Sequence, residues 1–290
     1  MNLSRIAAIG AVSVASSAWA GTKVPPGWMV VADSQAQFSG VQGEFGWQYL
    51  FDRGPGSEIS LMPFLIGSGP GSVRCTATLP GTSGANGSYC TLYQTGGHAN
   101  SSFECNNTIA GLQRPIRRWT SQMPSRTMVA WDCDVSTSSS GMHISLIVDG
   151  STVFDFTSVL GSNAIQSYIG EFESLQSVWS LADPMGSCHG DGYHERLRIL
   201  VPDCNSNLIP DAVEIANGSV YDRNHDGVPD SCQCLADVVE NGVVDGADLA
   251  AVLAVWGTDG GIYPRADTNA DGIVDGSDLA VVLSSWGGCP

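Results

Sequence analysis

The sequence contains a single lysine, Lys23, and its 12 basic residues face 29 acidic residues, which gives a formal net charge of −17 at pH 7. A field of that sign repels nucleic acid and anionic membranes and attracts divalent cations. After the N-terminus, no segment approaches the ~18 consecutive apolar residues that a membrane-spanning helix requires. We therefore expect no nucleic-acid partner and no membrane insertion after signal cleavage.

Cysteine pairs with the spacing of a zinc site are also lacking, although the chain has nine cysteines. Cys232 and Cys234 are separated by one residue, and no histidine pair follows them. Disulfides are the preferred interpretation in an oxidising compartment, and an odd number leaves one thiol free or shared between chains. The nine are Cys75, Cys90, Cys105, Cys133, Cys188, Cys204, Cys232, Cys234 and Cys289.

The N-terminal residues have the layout of a secretory signal peptide, residues 1–20. Arg5 precedes an apolar run over residues 6–14, and the small-residue ending Ala18-Trp19-Ala20 follows. This layout predicts cleavage after Ala20 and a secreted protein, extracellular or at the cell surface.

Residues 21–202 read as short β-strands separated by Gly-, Asp- and Pro-rich turns. Segments such as 28–31, 47–51, 127–131 and 196–201 are rich in Val, Thr and aromatic residues, and no long stripe with helical periodicity occurs. We predict a mainly β fold in which this region forms one β-sandwich of jelly-roll type, large enough for its own core. Two smaller β units with a break in the stretch 81–102 are the alternative.

The last third of the chain is acidic and contains an internal duplication. Residues 203–290 hold fifteen Asp or Glu and two Arg. Residues 237–257 recur as 267–287, with an offset of 30 residues and twelve identical positions among twenty-one. A repeat of this kind indicates two copies of one structural unit.

Each copy has oxygen-bearing residues at the spacing of a calcium loop. A twelve-residue loop supplies about six to eight oxygens from positions 1, 3, 5, 7, 9 and 12, with glycine at position 6. Ordinary turns also use Asp-Gly and Asn-Gly, but they do not need oxygens on alternate residues. The first copy has Val239 at position 3, which predicts a weaker site or one that recruits water. The predicted ligands are Asp267, Asn269, Asp271, the carbonyl of Ile273, Asp275 and Asp278 in the second copy, and Asp237, Asn241, the carbonyl of Val243, Asp245 and Asp248 in the first.

A predicted helix follows the second loop, with Leu279, Val282, Leu283 and Trp286 on one stripe and Gly287 as its end. Loop and helix together resemble the type I dockerin family over residues 235–289. The resemblance implies a small domain, 235–290, of two EF-hand-type loop–helix units with pseudo-twofold symmetry. It also implies calcium as cofactor and a cohesin-like or cell-surface protein as partner.

This sequence departs from the dockerin family at one pair of positions, and the resemblance makes one further prediction. The family commonly carries a hydroxyl pair after position 9, where this sequence has Gly246-Ala247 and Gly276-Ser277. The ends of a pseudo-twofold unit come together, so the resemblance also predicts a disulfide between Cys234 and Cys289.

Residues 203–234 contain two further segments with the pattern D-x-N-x-[DN]-x-[IV]-P-D. They resemble thrombospondin type 3 calcium repeats, with Leu208 in place of a glycine in the first and Gln233 at position 12 of the second. The resemblance implies a calcium-stiffened spacer that Cys204 and Cys232 can bridge; a Pro-punctuated acidic linker is the alternative. The implied ligands are Asp203, Asn205, Asn207, Ile209, Asp211 and Glu214, followed by Asp222, Asn224, Asp226, Val228 and Asp230.

The β domain has two sets of candidate functional residues. Glu171 and Glu173 alternate along a predicted strand, as the carboxylates of a glycoside hydrolase do, although a solvated strand face explains them equally well. Exposed tryptophans stack on sugar rings, and the candidates are Trp28, Trp47, Trp119, Trp131 and Trp179.

We therefore predict a secreted, calcium-binding, non-catalytic protein. In this interpretation the dockerin-like module attaches a β-sandwich recognition domain, with polysaccharide as its hypothetical ligand, to a partner protein or cell surface. A secreted polysaccharide-degrading glycoside hydrolase carried by the same module is the alternative.

Overall fold

The computed structural model describes residues 23–62, 64–66, 74–76, 90–99, 112–135, 141–158, 163–185, 192–222 and 225–289. The predicted signal peptide, Cys105, Cys188 and Asn224 lie outside the described residues. The chain divides into two compact units, one of residues 1–24 and 30–201 and the other of residues 25–29 and 202–290. Among the described residues, no helix is long and apolar enough to cross a membrane.

The first unit is a mainly antiparallel β structure of two sheets, so the predicted mainly β fold is confirmed. Its strands are β1 (Trp28–Asp33), β2 (Trp47–Asp52), β3 (Ser60–Leu61), β4 (Phe64–Ile66), β5 (Arg74–Thr76), β6 (Thr91–Tyr93), β7 (Gly96–His98), β8 (Arg114–Thr120), β9 (Ser125–Val135), β10 (Met142–Val148), β11 (Ser151–Ser158), β12 (Asn163–Phe172), β13 (Ser177–Asp183) and β14 (Gly192–Pro202). The eight-stranded sheet has the order β12-β9-β14-β7-β6-β5-β4, with β1 also paired to β14, and the six-stranded sheet has the order β11-β10-β13-β8-β2-β3.

Among the described residues, a large core lies between the two sheets, and Leu50, Ile116 and Leu181 form a separate, smaller buried cluster. Along β9, Val129, Trp131 and Cys133 are buried while the residues between them are partly exposed, because successive side chains of a strand point to opposite faces. The six-stranded sheet contributes Trp47 from β2 and Leu146 from β10 to the same core. Alternation of this kind is what the sequence pattern predicted for a β-sandwich.

One buried ion pair connects the two sheets. The Arg117 side chain on β8 and the Glu195 side chain on β14 both have 0% exposure, and Nε of Arg117 lies 2.9 Å from Oε1 of Glu195. The remaining guanidinium nitrogens donate to the carbonyl oxygens of Ser34 and Tyr93, each at 2.8 Å. Oε2 of Glu195 has no hydrogen-bond partner among the described residues. Removing either member of the pair would leave the other charge buried without a counter-charge, so the pair couples the two sheets.

In the described part of the second unit there are three short α-helices: α1 (Asp211–Asn217), α2 (Gly246–Ala254) and α3 (Gly276–Ser284). Helices α2 and α3 each begin with a reciprocal capping box. The Asp245 carboxylate accepts a hydrogen bond from the Ala247 N–H, and the Asp248 carboxylate accepts one from the Asp245 N–H. Asp275 and Asp278 repeat the arrangement at α3.

Within residues 237–288, the two repeats make equivalent backbone hydrogen bonds with each other. The two-residue strand β15 (Val243–Val244) of the first loop pairs with β16 (Gly287–Gly288), which follows α3. Correspondingly, Val274 of the second loop exchanges hydrogen bonds with Gly257 and Thr258, which follow α2. Each loop therefore pairs with the segment that leaves the other repeat's helix.

Two disulfides are present in this unit. Cys234 pairs with Cys289, with Cα atoms 5.4 Å apart, and Cys204 pairs with Cys232, with Cα atoms 5.9 Å apart. The predicted Cys234–Cys289 disulfide is confirmed, and the Cys204–Cys232 pairing that the sequence allowed is present. Cys75 and Cys133 of the first unit are buried, and burial raises the pKa of the Cys75 thiol to about 12.

Replacing Cys234 and Cys289 together by serine should lower the free energy of unfolding of the second unit by about 2–4 kcal/mol, because the crosslink closes a long loop in the unfolded chain. Urea denaturation followed by far-UV circular dichroism measures the change. Serine replacement of Cys75, whose thiol is in no disulfide, is the matched control and should have a smaller effect on that transition. Equal denaturation midpoints for the wild type and the double variant would contradict the prediction.

Candidate calcium loops

The position-1 carboxylates organise the backbone of the predicted loops. In the loop 267–278, Oδ1 of Asp267 accepts a hydrogen bond of 3.1 Å from the Asp271 N–H, and Oδ2 accepts one of 2.9 Å from the Gly272 N–H. The same two bonds, from positions 5 and 6 to position 1, recur in the other three loops. Their pairs are Asn207 and Leu208 to Asp203, Asp226 and Gly227 to Asp222, and Asn241 and Gly242 to Asp237.

The four loops also have the same backbone conformation at positions 4 and 6. In the loop 267–278, Ala270 and Gly272 have φ values of 55° and 90°. Positive values recur at Ser206 and Leu208, at His225 and Gly227, and at Glu240 and Gly242. Leu208 therefore takes the left-handed conformation that its replacement of glycine had called into question. The sequences of these loops resemble two different families, but all four loops have the same local backbone geometry.

The loop 203–214 holds three buried carboxylates. Asp203, Asp211 and Glu214 are 2%, 1% and 5% exposed. Both carboxylate oxygens of Glu214, at position 12, accept hydrogen bonds from the side-chain amides of Asn205 and Asn207, at 3.0 and 2.7 Å. The side chains of positions 3, 5 and 12 thus converge. Turning either amide over would present its oxygen to the same point.

The charge of this cluster has no partner among the described residues, where no ion pair to Asp203, Asp211 or Glu214 is found. Burial, reinforced by the neighbouring carboxylates of Asp203 and Glu214, raises the pKa of Asp211, although the Cys204 N–H opposes the shift. Oδ2 of Asp211 is buried with no hydrogen-bond partner in the described part of the chain. Buried carboxylates need a cation or a full set of donors, and an oxygen cluster of this composition fits calcium.

In the loops 237–248 and 267–278, the position-12 carboxylates are completely buried. Asp278 accepts hydrogen bonds of 2.8 Å from the Asp275 N–H and of 2.8 Å from the Thr268 N–H, and Asp248 makes the equivalent contacts with Asp245 and Val239. Oδ1 of Asp278 also accepts a hydrogen bond of 3.0 Å from the Thr268 hydroxyl. Oδ2 of Asp278 and both oxygens of Asp248 accept one hydrogen bond each and keep a lone pair that fits a hard cation. Val239, at position 3, packs on the hydrophobic cluster of this unit and supplies no side-chain oxygen.

In the loop 222–233, Gln233 occupies position 12. Its side-chain amide donates to both oxygens of Asp226, at 2.7 and 2.8 Å, and to the Val228 carbonyl at 3.1 Å. Positions 5, 7 and 12 therefore meet in this loop, whereas positions 3, 5 and 12 meet in the loop 203–214. Position 12 is neutral here, but Asp226 stands at position 5, where the neighbouring loop has Asn207, so each of the two loops holds three carboxylates. Its predicted ligand Asn224 lies outside the described residues.

The candidate catalytic residues are exposed. Glu171 is the penultimate residue of the edge strand β12, where its register partner is Arg126, and Glu173 follows the strand; both are exposed to solvent. His194 and Glu195, which the sequence places side by side, point to opposite faces of β14: His194 contacts Asp134 at the surface, and Glu195 is in the core.

Most of the tryptophans considered for sugar stacking are structural. Trp47, Trp119 and Trp131 are buried in the core, which leaves Trp28 and Trp179 partly exposed. The sequence pattern does not distinguish the buried tryptophans from the partly exposed ones, because both kinds lie on strands with the same alternation.

The predicted helix of the second repeat is shorter than expected: α3 ends at Ser284, so Trp286 follows the helix, and Gly287 lies in β16 instead of ending the helix. Val282 is fully buried, whereas Leu283 and Trp286 are 54% and 53% exposed. The first repeat exposes Leu253 and Trp256 in the same way. The duplicated unit therefore carries two matching pairs of exposed apolar side chains that the periodicity alone did not reveal.

The described residues thus form a two-sheet β structure and loop–helix units whose position-1 carboxylates accept the same pair of backbone hydrogen bonds. No family model matches the chain, and no curated protein matches it. Among solved structures, it is similar to the CBM36-1 domain of a multidomain xylanase from the hindgut metagenome of Trinervitermes trinervoides, with 13% identity, a TM-score of 0.23, and coverage of 37% of this chain and 90% of that chain.

Two further similarities are to carbohydrate-binding modules. One is the module CBM36 in complex with calcium and xylotriose, with 15% identity, a TM-score of 0.19, and coverage of 30% of this chain and 71% of that one. The other is a family 35 module from Clostridium thermocellum, with 12% identity, a TM-score of 0.23, and coverage of 42% and 84%. With TM-scores this low, the similarities carry no conclusion about what this chain binds.

Proposed function

We propose that the protein is an exported, non-catalytic calcium-binding protein. In this proposal the loops of residues 203–278 bind calcium, the β-sandwich recognises a polysaccharide, and the dockerin-like region attaches the protein to a partner protein or cell surface. The observation that carries the proposal is the buried, unpaired carboxylate cluster of Asp203, Asp211 and Glu214.

The argument for calcium begins with the cost of that cluster. Three carboxylates at 5% exposure or less are strongly disfavoured without a compensating charge. Calcium prefers oxygen ligands, and in this loop they would come from Asp203, Asn205, Asn207, the Ile209 carbonyl and Glu214. A bound ion would neutralise the carboxylates and link the two ends of the loop. Asp211 would hold the start of the loop in place, because its carboxylate accepts a hydrogen bond from the N–H of Cys204 at position 2.

The attachment role is supported by a different feature. Leu253, Trp256, Leu283 and Trp286 are all about half-exposed, and large apolar residues at the surface are typical of sites that bind another protein. Their duplication matches the repeat of the loops, so both copies would use equivalent residues.

Replacing Glu214 by glutamine tests the calcium proposal. The variant keeps the shape of the side chain but removes the charge at position 12, so we expect calcium binding in the loop 203–214 to weaken by about tenfold or more. Isothermal titration of calcium into the chelator-treated mature protein should lose its strongest component or show it shifted to weaker affinity.

The matched control is Glu240→Gln. Glu240 occupies position 4 of another loop, is largely exposed and pairs only with Arg265 at the surface. Its replacement should leave the titration unchanged. A wild-type protein that takes up no calcium, or a Glu214→Gln variant that titrates like the wild type, would contradict the assignment.

A further inference from the structure

The outer face of the six-stranded sheet carries a row of four directly neighbouring side chains. Gln48 on β2 is the register partner of Arg118 on β8, Arg118 is the partner of Trp179 on β13, and Trp179 is the partner of Ile147 on β10. All four are partly exposed. We call this set the Arg118 row.

The guanidinium of Arg118 is held in place by neutral groups. Its Nε donates a hydrogen bond of 2.8 Å to the side-chain oxygen of Gln48, and Nη2 donates to the same oxygen. On the other side, its central carbon lies 5.4 Å from the centroid of the Trp179 ring. These contacts orient the guanidinium without neutralising its charge, and Nη1 makes no hydrogen bond to a described residue.

Arg114, the next arginine on the same face of the sheet, differs from Arg118 in its ion pairs. Arg114 lies four residues earlier on β8 and forms ion pairs with Asp52 at 2.7 Å and Asp183 at 3.2 Å. Among the described residues, no carboxylate pairs with Arg118, and its partial burial lowers the pKa of its guanidinium. Arg118 is therefore oriented by its neighbours but has no counter-charge among the described residues.

We infer that the Arg118 row binds a carboxylate-bearing sugar, a uronic acid unit of a polysaccharide. The guanidinium has planar N–H donors that match a carboxylate, and its charge strengthens each hydrogen bond. Trp179 supplies an aromatic surface beside it for the C–H groups of a sugar ring. The Gln48 amide is positioned to contact a hydroxyl group. The inference specifies the ligand of the β-sandwich and rests on its proposed role in polysaccharide recognition.

The test compares polygalacturonate with its fully methyl-esterified form, in which the carboxylates are masked. Binding to the mature protein is measured by affinity electrophoresis at a fixed calcium concentration. We expect retardation by the free acid only, weakened about tenfold or more by Arg118→Gln because a charge-assisted hydrogen bond is lost. Trp179→Ala should also weaken it, and Arg118→Lys should restore only part of the affinity, because lysine lacks the planar fork.

Three controls make the result specific. Arg126→Gln removes the same charge from an exposed position on the other sheet and should leave binding unchanged. Thermal unfolding shows whether each variant is folded. Because polygalacturonate itself binds calcium, the assay is repeated with magnesium in place of calcium, and retardation of the wild type should be unchanged.

Each contrary outcome overturns the inference. Equal binding of the esterified polymer would mean that the face recognises a neutral sugar, and displacement by poly-glutamate would mean that it recognises an acidic peptide. Unchanged binding by a folded Arg118→Gln variant, or no binding by the wild type, would remove the site. If calcium titration of the same protein succeeds while polygalacturonate fails, the ligand assignment alone is wrong and the calcium proposal stands.

Discussion

Removing calcium from the mature protein is expected to unfold the second unit at a markedly lower temperature than the β-sandwich. Beyond the cluster of the loop 203–214, Asp248 and Asp278 are also fully buried. Without a bound cation, the negative charges of these buried carboxylates oppose folding. With a cation bound, the carboxylates either coordinate it or hold its ligands in place. At a calcium concentration one hundred times the dissociation constant, each occupied site contributes about 2.7 kcal/mol to the stability of the folded state.

Differential scanning calorimetry in calcium and in excess chelator measures this effect. We expect one transition of the thermogram to shift by many degrees and the transition of the β-sandwich to remain in place. Magnesium at the same ionic strength is the control, because it retains its water ligands and demands a smaller octahedral site. A thermogram that is identical with calcium and with chelator would contradict the prediction.

Replacing Glu195 by glutamine is expected to cost the β-sandwich about 3–5 kcal/mol of its free energy of unfolding, the range found when one member of a buried ion pair is removed. The substitution preserves shape but leaves the Arg117 guanidinium buried without a negative partner. The bonds from Arg117 to the Ser34 and Tyr93 carbonyls remain, yet they do not neutralise its charge.

Glu240→Gln again provides the matched substitution, now at a surface pair. Arg265 and Glu240 are 42% and 67% exposed in their side chains, and pairs of this kind contribute about 0–1 kcal/mol. Urea denaturation of both variants in calcium separates the two cases. A Glu195→Gln protein as stable as Glu240→Gln would show that the buried pair contributes little to joining the sheets.

Local patterns in the sequence predicted much of this architecture. Alternation along segments such as 127–131 identified strands, and the repeat of 237–257 as 267–287 located both loop–helix units. The Cys234–Cys289 disulfide followed from the expected meeting of the ends of that repeat. These features depend on residues close in sequence or on exact duplication, which a single chain displays directly.

Features that depend on distant partners were not predictable in the same way. The burial of Arg117 depends on Glu195, 78 residues later, and nothing in the segment 114–119 distinguishes Arg117 from Arg118. Their fates differ because alternate side chains of β8 face the core and the solvent. Helical periodicity placed Leu283 and Val282 on the same apolar stripe. It does not indicate which residues of the stripe pack against another element and which remain exposed.

The loop 203–214 illustrates a third limit. Leu208 suggested a poor calcium loop, because a leucine at φ 67° is unfavourable. In the structure the two hydrogen bonds to Asp203 hold that conformation, and the leucine side chain is 76% exposed and meets no crowding from the core. The loop in which leucine replaces the expected glycine thus holds three buried carboxylates, those of Asp203, Asp211 and Glu214.

The most direct test of calcium binding is an anomalous difference map from crystals of the mature protein grown with calcium chloride. We predict one peak enclosed by Asp203, Asn205, Asn207 and Glu214, and a second enclosed by Asp267, Asn269 and Asp271. Ordered loops with only water at both positions would contradict the assignment of this chain as a calcium-binding protein.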